Sequence, residues 1–164
     1  MKWYLSLPIL ALLALSCSKS VAPPEGRDFN FKLDYGIFAK NVLNTYDNTY
    51  TKDLVIDGTV TVPFTLSDSE LQCIDAKMIG IGFFSFPDTF VVPGADTLGY
   101  VTPHSTYIFD VKDNSTVKHL YWSDCIVSED TNGVKLRGLI SLIVNIIHSN
   151  PKYSQLPPAN GGYQ

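Results

Sequence analysis

LSDSELQCIDAKMIGIGFFSFP, residues 66–87, carries the clearest local signal in the chain. Ser67 and Glu70 stand three apart, the spacing of a capping box. In that motif the Ser hydroxyl accepts from the amide of residue 70, and the Glu carboxylate reaches back to the amide of residue 67. Leu66 and Leu71 have the spacing of a hydrophobic staple across the same start. Asp68 and Glu70 put negative charge where a helix dipole favours it. Leu71, Ile74, Met78 and Ile81 recur on one face at helical spacing, and Gly80 and Gly82 offer a stop. The stretch therefore predicts a helix, capped by Ser67, that docks on a core. Phe83, Phe84, Phe86 and Phe90 follow as a dense aromatic group that fits core packing, with an apolar ligand pocket as the alternative.

Upstream, Phe29, Phe31, Leu33 and Tyr35 alternate with Asn30, Lys32 and Asp34, which predicts a half-buried strand ending at Gly36. Lys40–Tyr46 and Thr49–Ile56 read as two more strands, with Asp47-Asn48 as the turn between them. Asp57-Gly58 predicts a type I′ hairpin leading into Thr59–Thr65, in which Pro63 suits an edge or a strand end. Downstream, residues 87–105 have no clear period and read as an irregular crossing loop. Thr106–Val111 and Val117–Trp122 form a second hairpin around Asp113-Asn114-Ser115. Lys135 to about Ser149 predicts a second helix with Leu136, Leu139, Ile140, Ile143 and Ile147 inward, ended by Asn150-Pro151. Runs of short strands, each closed by one helix, indicate an α+β fold. The expectation is an antiparallel sheet of about five to six strands with two helices packed on one face.

At 164 residues with 45% apolar and 12% aromatic side chains, the chain can bury an ordinary single-domain core. A net charge of −4, with no basic stripe interleaved with aromatics, argues against nucleic acid as a partner. Met1–Cys17, MKWYLSLPILALLALSC, has one cation at Lys2 and an apolar run from Trp3 to Leu15. That run is too short for the ~20 residues of a spanning helix and has the length of a secretory h-region. Leu15-Ser16-Cys17 at its end resembles the lipobox of bacterial lipoproteins. The resemblance implies cleavage after residue 16 and acylation of Cys17. Ala14 and Ser16 also suit the general signal peptidase, which is the alternative. Residues 18–28, SKSVAPPEGRD, read as a polar tether. The division is a signal peptide over 1–16, a lipidated Cys17 and tether over 17–28, and a single domain over 29–164.

TYTKD at 49–53, LSxxEL at 66–71, KMIGIGFF at 77–84 and LPPANGGY at 156–163 resemble a family of small uncharacterised bacterial lipoprotein-like proteins. The resemblance implies an exported domain and no known activity.

Candidate chemistry is sparse. His104, His119 and His148 form no HxH, HExxH or His/Cys spacing, so no metal or other cofactor is expected. Asp34, Asp47, Asp53 and Asp57 occur singly, and no serine lies in a GxSxG elbow. Cys73 and Cys125 are a candidate disulfide, although helical spacing turns Cys73 away from the Leu71/Ile74/Met78/Ile81 stripe. The polar ribbon NTYDNTYTKD at 44–53 makes Tyr46 and Tyr50 the candidate binding surface, with an ordinary amphipathic hairpin as the alternative. The functional expectation is a lipid-anchored bacterial envelope protein that binds a ligand, a partner protein or a hydrolase non-catalytically. An inhibitory loop would fall in residues 87–105. The alternative is an envelope hydrolase whose His104 or His119 meets carboxylates only in three dimensions.

Overall fold

The computed structural model describes residues 28–164. The expected leader, Cys17 and nearly all of the tether lie outside the described residues. Strands β1 (Phe29–Tyr35), β2 (Asn41–Asn44), β3 (Thr49–Asp53) and β4 (Thr59–Pro63) come first, then helix α1 (Asp68–Ile81). Strand β5 (Thr89–Phe90), the long strands β6 (Tyr100–Asp113) and β7 (Thr116–Ile126), and helices α2 (Thr131–Ser149) and α3 (Pro151–Ser154) complete the chain. All seven strands form one sheet in the order β4-β3-β2-β1-β6-β7-β5. Each neighbour is antiparallel except β5, which runs parallel to β7.

The fold is α+β, as the alternating runs imply. The expectation of five to six antiparallel strands is corrected to a mixed sheet of seven. The extra strand comes from the segment read as a loop. Thr89 and Phe90 pair with Tyr121 and Trp122, and two residues are too few to show a period. That segment also ends earlier than expected, because Tyr100–Ser105 already belongs to β6. The four-residue helix α3 was equally hidden in PKYS.

Period two along β1 gives Phe29, Phe31, Leu33 and Tyr35 to one buried face. They share a single core with Leu43, Tyr50, Phe109, Val111, Leu120 and Trp122 from the sheet. Ile74 and Met78 of α1 and the predicted stripe Leu136, Leu139, Ile140, Ile143 and Ile147 of α2 close it from the same side. Asn30, Lys32 and Asp34 point to the opposite, uncovered face.

The capping box is present in both halves. Ser67 Oγ accepts from Glu70 N at 3.4 Å, and Ser67 N donates to Glu70 Oε2 at 2.7 Å. Gly82 ends the helix in the left-handed region at φ 72°, a conformation a Cβ disfavours. Ser67→Ala should lower stability by about 0.5–2 kcal/mol in reversible denaturant unfolding. An unchanged midpoint would show that the cap contributes nothing.

Helix α2 starts four residues before the expected Lys135. Asp130 caps it by accepting from Asn132 N and Gly133 N, which overrides the poor helix propensity of Thr131-Asn132-Gly133. The Phe83, Phe86 and Phe90 rings are buried and pack on Phe109, on one another and on Trp122 at 5.2–5.6 Å, so this group is core.

Candidate functional site

The two ends of the sheet differ in chemistry. At one end the chain enters through Asp28, whose backbone exchanges hydrogen bonds with Asn114 at the tip of the β6–β7 hairpin. Lys112 Nζ pairs with Asp28 Oδ2 at 2.6 Å there, and that hydrogen bond holds the Asp28 carboxyl below its usual range. This end is mainly polar, with Val117 as its exposed apolar exception, and it includes the Asp47-Asn48 turn, with Asn48 at φ 52°.

At the opposite end two turns and the start of β6 carry exposed apolar side chains. Phe38 is 72% exposed, Ile56 73% and Tyr100 71%. The β1–β2 turn holds Phe38 and Ala39 both in the left-handed region, at φ 57° and 54°. Such a pair costs backbone energy, and here it aims the Phe38 ring outward. The β3–β4 turn is not the expected type I′ hairpin. Asp57 is not among the positive-φ residues, and Gly58 (φ 77°) and Val55 (φ 65°) turn the chain instead. Left-handed backbone in a β-branched residue is a rare strain, and Val55 sits where the C-terminal segment docks.

That segment crosses from the helical side of the sheet to its open side. Lys52 Nζ donates to Pro157 O at 2.7 Å. Asn160 N donates to Leu54 O, and Ile56 N donates to Asn160 O. Gly161, at φ 90°, lies so close to Ile56 that a Cβ would stand 2.7 Å from Ile56 Cδ1. Tyr163 then donates its hydroxyl to Asp53 Oδ2 at 2.6 Å and accepts from Lys40 Nζ at 2.8 Å. The hydrogen bond to Tyr163 is the main reason the Lys40 ammonium is held above its ordinary pKa. Lys40 also lies 5.0 Å from the centre of the Tyr163 ring, and Phe38 meets that ring edge-on at 5.5 Å. Phe38 and Tyr163 thus pack together at this end beside one cation, Lys40, and Ile56 lies against Gly161 in the same C-terminal segment. Sequence reasoning missed this site, because LPPANGGY reads as an extended tail until its partners in two distant turns are known.

The candidate surface Tyr46/Tyr50 is not one surface. Tyr46 is 44% exposed and donates to Asn30 O at 3.2 Å on the open face. Tyr50 is 1% exposed. Its hydroxyl is 2.8 Å from that of Tyr35, and its ring packs on Phe64 and Tyr153. Burial pushes the Tyr35 phenol up to about 12, and it pushes Tyr50 up as well.

The Cys73–Cys125 bridge is not formed, since Cys125 is a free thiol. Cys125 belongs to β7 beside the sheet core, and Cys73 lies on α1 off the buried stripe. His119 Nδ1 and Asp110 Oδ1 meet at 2.7 Å, with both side chains half exposed on the open face of the sheet. They occupy paired positions on β6 and β7. His104 Nδ1 meets Val101 O, and His148 stacks on Tyr153 at 4.4 Å. The three histidines therefore stay apart. Asp34 pairs with Lys32 at 2.9 Å, Asp47 accepts from Asn44, and Asp53 accepts from Tyr163. These three carboxylates thus have separate partners rather than one another. Among the described residues no group of three or more His, Cys, Asp or Glu is placed to hold a metal ion. No described helix is long and apolar enough to cross a membrane.

Compared with known proteins, the chain matches no family model, no curated protein and no solved structure.

Proposed function

We propose that this chain is a lipid-anchored protein of a bacterial envelope that binds a partner protein through its Phe38/Ile56/Tyr100 end, without catalysis. One observation carries the reading: the apolar end lies opposite the end where the chain enters the domain. An anchor at Cys17 followed by residues 18–28 would reach the domain at Asp28. About 11 extended residues at ~3.3 Å each would let the polar end face the headgroups. The apolar end would then point into the space beyond the membrane. Three large apolar side chains exposed at one end of a small domain mark an interaction surface more readily than a folding surface. The family resemblance of the TYTKD, KMIGIGFF and LPPANGGY runs agrees with an exported domain. The LPPANGGY run is also the segment that completes this end.

Photo-crosslinking in intact cells tests the reading. A benzophenone side chain in place of Phe38 should give one discrete adduct. The same group at Val117, which is exposed at the opposite end, should give none. Ile56→Ser combined with Tyr100→Ser should abolish the Phe38 adduct. Cys17→Ala should move the protein from the membrane to the soluble fraction. An adduct from Val117 alone, or a soluble wild-type protein lacking acyl mass at its N-terminus, would overturn the proposal. Substrate turnover lost in His119→Ala would replace it with the hydrolase reading.

A further inference from the structure

We propose that β4 is a docking edge for an extended, acidic segment of another protein, which would add to the sheet as an eighth strand. This goes beyond the apolar end described above and does not depend on it.

The sheet has two edges. One is β5, only two residues long; the other is β4, five residues long. Leu54 N donates to Gly58 O, and Phe64 N donates to Asn48 O. By strand alternation, Gly58, Val60, Val62 and Phe64 turn their backbone groups toward β3. Thr59, Thr61 and Pro63 turn theirs away from the sheet, and all three are exposed. Thr59 and Thr61 each offer an amide and a carbonyl there, which is a complete unit for pairing with one more strand. Pro63 has no amide, and its outward carbonyl accepts from Lys152 Nζ at 3.0 Å. It therefore sets the lower limit of the docking edge.

A groove of about 390 Å³ runs beside this edge, lined by Val62, Pro63, Lys152, Gln155 and Leu156. A strand paired to Thr59 and Thr61 would send alternate side chains into it. Val62 and Leu156 suit an apolar side chain. Charge selects the rest of the occupant. Lys152 and Lys52 stand on the groove side, and among the described residues their ammonium groups donate to the carbonyls of Pro63 and Pro157. Among the described residues neither lysine has a carboxylate partner. An incoming segment with an acidic residue between apolar ones supplies it.

The test uses the full chain and two capped peptides, TVTETVT and TVTKTVT, followed by amide NMR. TVTETVT should shift the Thr59 and Thr61 amides and slow their hydrogen exchange. TVTKTVT should bind about two- to fivefold more weakly, the range for an exposed ion pair. Lys152→Glu should reverse that preference. Thr61→Pro removes an outward amide and the hydroxyl contact with Thr51 but no backbone bond to β3, and it should weaken both peptides at least about tenfold. Unchanged exchange at Thr59 and Thr61 with millimolar peptide would overturn the proposal. So would equal affinity for the two peptides. Concentration-dependent dimerisation abolished by Thr61→Pro would also overturn it, by making a second copy the occupant.

Discussion

Tyr50→Ser should destabilise the domain by about 3–5 kcal/mol, whereas Tyr46→Ser should cost less than about 1 kcal/mol. Both residues lie in the same polar ribbon, so the contrast isolates burial. Tyr50 loses its ring contacts with Phe64 and Tyr153 and leaves a cavity between β3 and α3. It also leaves the Tyr35 hydroxyl, its 2.8 Å partner, buried without a bond. Tyr50→Phe keeps the ring and removes only that bond, so it should cost about 1–3 kcal/mol. The pair makes a pH prediction as well. Both phenols stay protonated in the folded state, Tyr35 with its pKa pushed up to about 12 and Tyr50 raised too. An unfolded tyrosine releases its proton above about pH 10, so the unfolded state binds fewer protons from there upward. Stability should therefore hold to pH 10 and fall as pH rises beyond it. Each phenol contributes about 1.4 kcal/mol per pH unit of that fall. Equal denaturant midpoints at pH 9 and 11 would contradict this, as would equal losses for the Tyr46 and Tyr50 variants.

Arg137→Ala should cost about 2–4 kcal/mol, measured as a lowered denaturant midpoint at constant slope. The guanidinium grips Asp124 with two hydrogen bonds, at 3.0 and 2.6 Å, and donates to Ser128 O at 2.8 Å. It also lies 5.3 Å from the centre of the Trp122 ring. One side chain of α2 thus fixes the end of β7 and the connection that follows it. The hydrogen bond to Asp124 is the main cause holding the Arg137 pKa above its ordinary value. Removing the arginine leaves a half-buried carboxylate and a carbonyl without their donor. Arg137→Lys keeps the charge but not the planar fork, so it should recover less than half of the loss. Full recovery by lysine would show that charge alone matters here.

Several elements were legible in the sequence because their causes are local. Ser67 and Glu70 satisfy one another's backbone within a single turn, so spacing alone announces the start of α1. The α2 stripe from Leu136 to Ile147 and the β1 alternation from Phe29 to Tyr35 follow from one periodicity each. Pro63 on an edge strand follows from the amide it lacks. These suffice for an α+β domain with its helices on the apolar side of a sheet.

Other features depended on residues far apart in the chain. Period two divides TYTKD into two faces, but threonines flank Tyr50 and both faces look polar. The inward face was chosen by Tyr35, Phe64 and Tyr153, which lie up to about a hundred residues away. Strand β5 exists only because β7 presents an unpaired edge to Thr89 and Phe90. The Phe38/Ile56/Tyr163 end needs two turns and the C-terminal segment together. Its Lys40–Tyr163–Asp53 chain of hydrogen bonds joins residues more than a hundred positions apart. Local spacing reports only energies contained within a few residues. Burial of Tyr50 and assembly of the apolar end arise from contacts that exist only once the sheet has closed.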